Sequence, residues 1–190
     1  MAEILLFHHA QGMTAGLKEF AGTLRAAGHT VHAPDLFDGR IFDSLDDGLD
    51  YAGTLGFDTV LRRGAEAAAD LPAGLVYLGF SLGVMPAQRL AQTRGGARGA
   101  ILLHSCLPVG EFGGWPAGVP VQVHAMEQDP FFAGGGDLDA ARALTSAAAD
   151  AGLFLYPGAE HLFADSSLPS YDTAAAALLT RRVLGFLAVA

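Results

Sequence analysis

The chain of 190 residues contains one cysteine, Cys106. An intramolecular disulfide is therefore excluded, as are zinc and iron–sulfur sites built from several thiolates. Positive charge is also scarce, with eleven Lys and Arg against twenty Asp and Glu and a formal net charge of −9. That sign repels phosphate backbones and anionic bilayers, so neither nucleic acid nor a membrane surface is an expected partner. The start of the chain lacks the basic segment and long apolar stretch of a secretory signal, because the run from Ile4 to Phe7 ends at His8. The late apolar stretch from Ala174 is split by Arg181 and Arg182, which argues against a bilayer span. The expectation is a soluble, cytoplasmic protein, with homodimerisation left open.

What is present is apolar: 51% of residues are hydrophobic and 16% charged, enough to bury a sizeable core and too little charge for a disordered chain. The length fits one domain over residues 1–190, with no internal repeat or linker. Short apolar runs alternate with longer Ala/Leu-rich segments, the pattern of a parallel sheet covered by helices on both faces. Strands are expected at Ile4–Phe7, Thr30–Ala33, Gly74–Gly79, Ala100–Leu103, Val119–His124 and Leu153–Tyr156. Helices are expected from Thr14 to Gly28, Asp58 to Asp70, Ser81 to Gln92, Leu138 to Ala151 and Tyr171 to Ala188, with Asp43 to Asp50 left as surface loop or a short helix. Right-handed crossovers and one reversal after the second strand give the order 2-1-3-4-5-6, with ligands expected at the strands' carboxyl ends.

Gly79-Phe-Ser-Leu-Gly83 matches G-x-S-x-G where a buried strand turns into a helix. The sharp turn of a nucleophile elbow brings flanking backbones together, so a side chain at either glycine would clash. A serine capping the helix is the plainer alternative. A serine hydroxyl needs a base to take its proton and an acid to orient that base. Asp129 follows the fifth strand and His161 the sixth, giving the Ser, Asp, His order of an α/β-hydrolase. Glu127 is a rival acid, and His8, His9, His29, His32, His104 and His124 are rival bases. The oxyanion would be met by the amide of Leu82 and another from His9-Ala10-Gln11, after the neighbouring strand. A metal at His8-His9 is disfavoured because adjacent extended residues point opposite ways and no ligand set completes the site. Trp115, Phe131, Phe132 and Phe163 could line an apolar pocket or pack in the core.

These blocks resemble the dienelactone hydrolase family of the α/β-hydrolase superfamily over nearly the whole length. The carriers are His32-Ala-Pro-Asp-Leu-Phe37, the elbow, Met126-Glu-Gln-Asp129 with Pro130-Phe131, and Gly158-Ala-Glu-His161 with Phe163. The resemblance implies a minimal, lidless α/β-hydrolase with Ser81 as nucleophile, His161 as base and Asp129 as acid; no cofactor is expected, because backbone donors and the imidazole handle the developing charge. It also marks departures. Ser81 stands where the enzymes that name the family carry cysteine, which argues for an esterase-like reaction on a small ester or lactone. His9 stands at the position of a glutamate, and Asp165 at that of an arginine that holds a substrate carboxylate. The resemblance thus places His9 and Asp165 among substrate contacts, beside Phe131 and Phe163 from the aromatic loops, and favours a neutral or cationic ester. The same departures leave open a non-catalytic relative that binds a small molecule or a protein. A flavodoxin-like or dinucleotide-binding module is the remaining rival, but His8-His-Ala-Gln-Gly12 lacks its glycine pattern.

Overall fold

The computed structural model describes residues 1–190. Six strands form one sheet: β1 (Glu3–Phe7), β2 (Thr30–His32), β3 (Leu75–Phe80), β4 (Gly99–Leu103), β5 (Val121–Met126) and β6 (Ala151–Tyr156). All neighbours pair in parallel, in the order β2-β1-β3-β4-β5-β6, as the strand and helix alternation requires.

Successive side chains on a strand point to opposite faces, and this period splits the core in two. Leu5, Phe7, Leu75, Tyr77, Ala100 and Leu102 pack on one face, whereas Ile4, Leu6, Val76, Leu78, Ile101 and Leu103 pack on the other. The second face is covered by α1 (Ala15–Ala26) and α7 (Thr173–Leu187) through Leu17, Phe20, Leu24, Leu179 and Val183. The first is covered by α2 (Leu45–Leu55), α3 (Phe57–Ala68), α4 (Val84–Thr93) and α6 (Asp137–Ala147) through residues such as Ala52, Val60, Ala87 and Leu144. A short α5 (Pro130–Gly134) follows β5. No helix is long and apolar enough to cross a membrane.

The elements α2, α6, β5 and β6 differ from the sequence expectation, and α5 is an addition to it. The acidic stretch from Asp43 leads into a full helix, α2, capped by Ser44, whose hydroxyl accepts from the Asp47 amide at 3.1 Å. Asp46 and Asp47 in its first turn suit the positive end of the helix dipole. Its buried residues are only Gly48 and Ala52, too thin a stripe to register as a core helix. The helix expected to run to Ala151 stops at Ala147, because Ala151 is taken into β6 opposite Val121. β5 correspondingly runs from Val121 to Met126, two residues later than expected.

Candidate active site

The elbow is a matter of backbone space. Ser81 follows β3 with φ of +49°, a region that L-residues seldom occupy. A Cβ on Gly79 would strike the Gly83 carbonyl, and one on Gly83 would meet the carbonyl oxygens of Phe7 and His8, the latter at 2.7 Å. Only glycine lets β3 turn into α4 this tightly while passing so close to β1.

Two loops bring partners to this turn. The Ser81 Oγ lies 2.9 Å from His161 Nε2, and His161 Nδ1 lies 2.6 Å from Asp129 Oδ2. Asp129 is fully buried, and its other oxygen accepts from the Phe131 amide at 2.9 Å, capping α5. A carboxylate can only accept, so His161 carries its proton on Nδ1 and presents Nε2 as the acceptor for the serine hydroxyl. An alcohol bonded to an oriented imidazole in this way can lose its proton as it attacks a carbonyl. Glu127, the rival acid, is exposed to solvent.

The other histidines have different surroundings. His29 accepts from the Ala2 amide, and His32 pairs with Glu3 at 2.8 Å. His124 contacts the Tyr156 hydroxyl at 2.9 Å. His8 donates from Nδ1 to the His9 carbonyl and accepts at Nε2 from the Leu36 amide. His104, directly after β4, is fully buried and neither ring nitrogen has a partner. Its ring meets Phe163 edge-on at 4.8 Å and His161 at 5.8 Å. Burial drives its pKa well below 6.5, and any positive charge on His161 drives it further. Its place at a strand's carboxyl end was the one sequence signal for this proximity to the site.

Beside His161 opens a cleft of about 430 Å³ whose lining includes Gln11, Asp43, Phe131, Glu160 and Leu168. Phe131 is 45% exposed, with its ring centroid 4.8 Å from that of His161. Ala10 is buried in the loop after β1, and its amide makes no hydrogen bond within the protein. Leu82, the residue after Ser81, is 7% exposed.

The remaining expected substrate contacts turn inward. Phe163 is fully buried between His104 and Tyr156, in the apolar layer shared with α1 and α7. Asp165 is fully buried and accepts from His9 Nε2 at 2.8 Å, from the Thr14 hydroxyl, and from the Ser167 amide and hydroxyl at 2.9 and 2.7 Å. Burial alone would raise its pKa, but these donors outweigh it and bring the carboxyl down to about 2. His9 is fully buried as well. Neither side chain lines the cleft, so the charge preference expected from Asp165 has no basis at that residue; the carboxylates in the cleft are Asp43 and Glu160.

Residues 2–190 match the sequence model of the dienelactone hydrolase family. The chain belongs to that family. As a dienelactone hydrolase family member it is an α/β-hydrolase, and its fold is shared by several solved relatives. A Klebsiella pneumoniae protein provisionally assigned as a dienelactone hydrolase superposes with a TM-score of 0.74 at 18% identity, over 99% of this chain and 87% of that one. A dienelactone hydrolase-like promiscuous phosphotriesterase from metagenomic libraries gives 0.72 at 20% identity, over 99% and 86%. The pyrethroid hydrolase PytH gives 0.59 at 18%, over 98% and 97%. No curated protein matches the chain in sequence. At such identities the likeness concerns the fold, while activity has to be argued from the site.

Proposed function

We propose that this hydrolase cleaves a small ester or lactone through an acyl-enzyme, with Ser81 as nucleophile, His161 as general base and Asp129 as the acid that orients His161. The carrying observation is the unbroken chain from Ser81 Oγ to His161 Nε2 at 2.9 Å and from His161 Nδ1 to Asp129 Oδ2 at 2.6 Å. As the serine oxygen attacks the carbonyl carbon, its proton passes to Nε2, and buried Asp129 stabilises the imidazolium that results. The Ala10 and Leu82 amides receive the developing oxyanion. The imidazolium then protonates the leaving alkoxide, and a water activated by the same nitrogen releases the acid and restores Ser81. In this reading residues 1–190 form one catalytic domain acting in the cytoplasm on a small molecule, and Phe131 supplies an apolar wall beside the base.

The test is serine-directed fluorophosphonate labelling beside a hydrolysis screen of short p-nitrophenyl esters, lactones, thioesters and, given the activity named for one neighbour, phosphotriesters. Wild type should be labelled and active, and Ser81→Ala unlabelled and slower by about 10³-fold or more. A folded wild type that resists labelling and hydrolyses nothing would favour a binding role for the cleft.

A further inference from the structure

His9 and Asp165 come from loops 156 residues apart in sequence, yet their side chains meet at 2.8 Å in a site closed to solvent. The loop after β1 carries Ala10; the loop after β6 carries His161, four residues before Asp165. The Gln11 amide donates to His9 Nδ1 at 3.2 Å, so that nitrogen is unprotonated and Nε2 carries the proton given to Asp165. The imidazole therefore ties a backbone amide adjacent to Ala10 to the segment that holds the base.

The far end of this tie is fixed in turn. One oxygen of Asp165 receives the Thr14 hydroxyl as well as His9, while the other receives the amide and hydroxyl of Ser167. Thr14 is the N-cap of α1, and the Ser167 hydroxyl accepts from the Gly16 amide at 3.0 Å, so the first turn of α1 is the anchor. A Cβ on Gly16 would run into Asp165 and lie 2.6 Å from the Ser166 amide, which leaves no slack between helix and loop. No Lys or Arg takes part, so hydrogen-bond donors alone satisfy the carboxylate.

We propose that the His9–Asp165 pair is the positioning element of the oxyanion hole, setting the Ala10 amide relative to Ser81 and His161. The proposal rests on the serine-hydrolase reading. It explains why the Ala10 N–H can stay unbonded within the protein without drifting: its direction is set by the turn in which the Gly12 amide donates to the His9 carbonyl at 3.0 Å and the Gln11 amide to the His9 ring. His9 and Asp165 touch no reacting atom. They are positioning residues, and displacing a donor by a fraction of an ångström weakens transition-state binding more than substrate binding.

The experiment compares Asp165→Asn, His9→Leu and His9→Gln in the full chain, each verified as folded by near-ultraviolet circular dichroism, with kcat and KM measured on the best ester of the screen. Gln keeps a donor near the Nε2 position and so can restore the tie, whereas Leu cannot. Asp165→Asn and His9→Leu should lower kcat about 10- to 100-fold with KM within about threefold, and His9→Gln should recover most of the loss. Should His9→Leu not fold, Asp165→Asn and His9→Gln decide by the same criterion. Unchanged kcat with a lowered melting temperature would overturn the proposal in favour of a scaffold role, and an effect carried by KM would overturn it in favour of substrate binding. In both outcomes a fluorophosphonate-reactive wild type leaves the hydrolase reading intact; an inert wild type refutes both.

Discussion

Acid is the perturbation to which this protein should respond most sharply, because His8, His104 and His124 are buried in neutral form. Burial is the leading cause for each: it lowers His8 from 6.5 to about 4, His124 to about 3 and His104 well below 6.5. For His8 the hydrogen bonds agree, since Nδ1 already donates to the His9 carbonyl at 2.7 Å and Nε2 accepts from the Leu36 amide at 2.9 Å. A second proton would set donor against donor. With folded pKa values below the unfolded one, the unfolded chain binds protons first as pH falls. The stability these histidines confer is complete above 6.5 and is lost progressively toward 4 for His8 and toward 3 for His124.

At about pH 5, a group with pKa values of about 6.5 unfolded and 4 or below folded costs about 2 kcal/mol, so His8 and His124 together cost about 4 kcal/mol, and His104 acts in the same direction. A domain of ordinary stability has about 5–15 kcal/mol in total, so this loss is a large fraction of it. Urea unfolding at fixed ionic strength between pH 7.5 and 5 should show stability falling by at least about 2 kcal/mol per pH unit near pH 5.5, the uptake of nearly two protons by His8 and His124, to which His104 adds. A slope below about 1.4 kcal/mol per pH unit, one proton's worth, would refute the claim that His8 and His124 are both buried neutral.

Gly83→Ala forces a methyl against the Phe7 and His8 carbonyls and should destabilise by about 3 kcal/mol or more, whereas Gly22→Ala, in exposed α1 with nothing within 4 Å, should stabilise by about 0.5–1 kcal/mol; thermal melts of the two variants check the contrast. Asp43 and Glu160 line the cleft and no Lys or Arg does, so an anionic ester should show kcat/KM about two- to fivefold below its neutral isostere, the gap narrowing as salt is raised. Equal rates at low salt would show that the two carboxylates do not act on the substrate.

The parts of the site legible in the sequence are those dictated by local backbone chemistry. The elbow needs glycine at two positions because two backbones pass within contact there, and that need is written in five consecutive residues. Strand order follows from connection rules, and Asp129 and His161 follow from strand ends in that order. What the sequence does not carry is the direction in which a side chain leaves a loop. Asp165 and Phe163 sit just after His161, yet the turn closed by the Asp165 amide on the Leu162 carbonyl at 3.0 Å, with Leu162 at φ of +61°, swings both away from the cleft. Asp165 then meets the N-terminus of α1, where the Thr14 hydroxyl donates to it and the Gly16 amide donates to the neighbouring Ser167 hydroxyl, a destination set by packing.

The distribution of buried polar groups shows how one molecule accommodates both demands. His8, His9, Gln11 and Thr14 follow β1, His104 follows β4, Asp129 follows β5 and Asp165 follows β6, so most buried polar side chains lie beyond the carboxyl ends of the strands. All four non-glycine residues with positive φ, Asp38, Ser81, His104 and Leu162, lie beyond strand ends too. Strained residues, and buried groups without a partner such as His104, lower stability by about 1–3 kcal/mol each. They are tolerated because the strands beneath are apolar on both faces and bind the sheet together without them. In a parallel sheet every strand delivers its loop to the same rim, so the cost of assembling a serine, an imidazole and a carboxylate is confined to one edge of the fold. The His9–Asp165 tie belongs to that edge, and its fixed donors make the loop after β1 answer to the loop that carries His161.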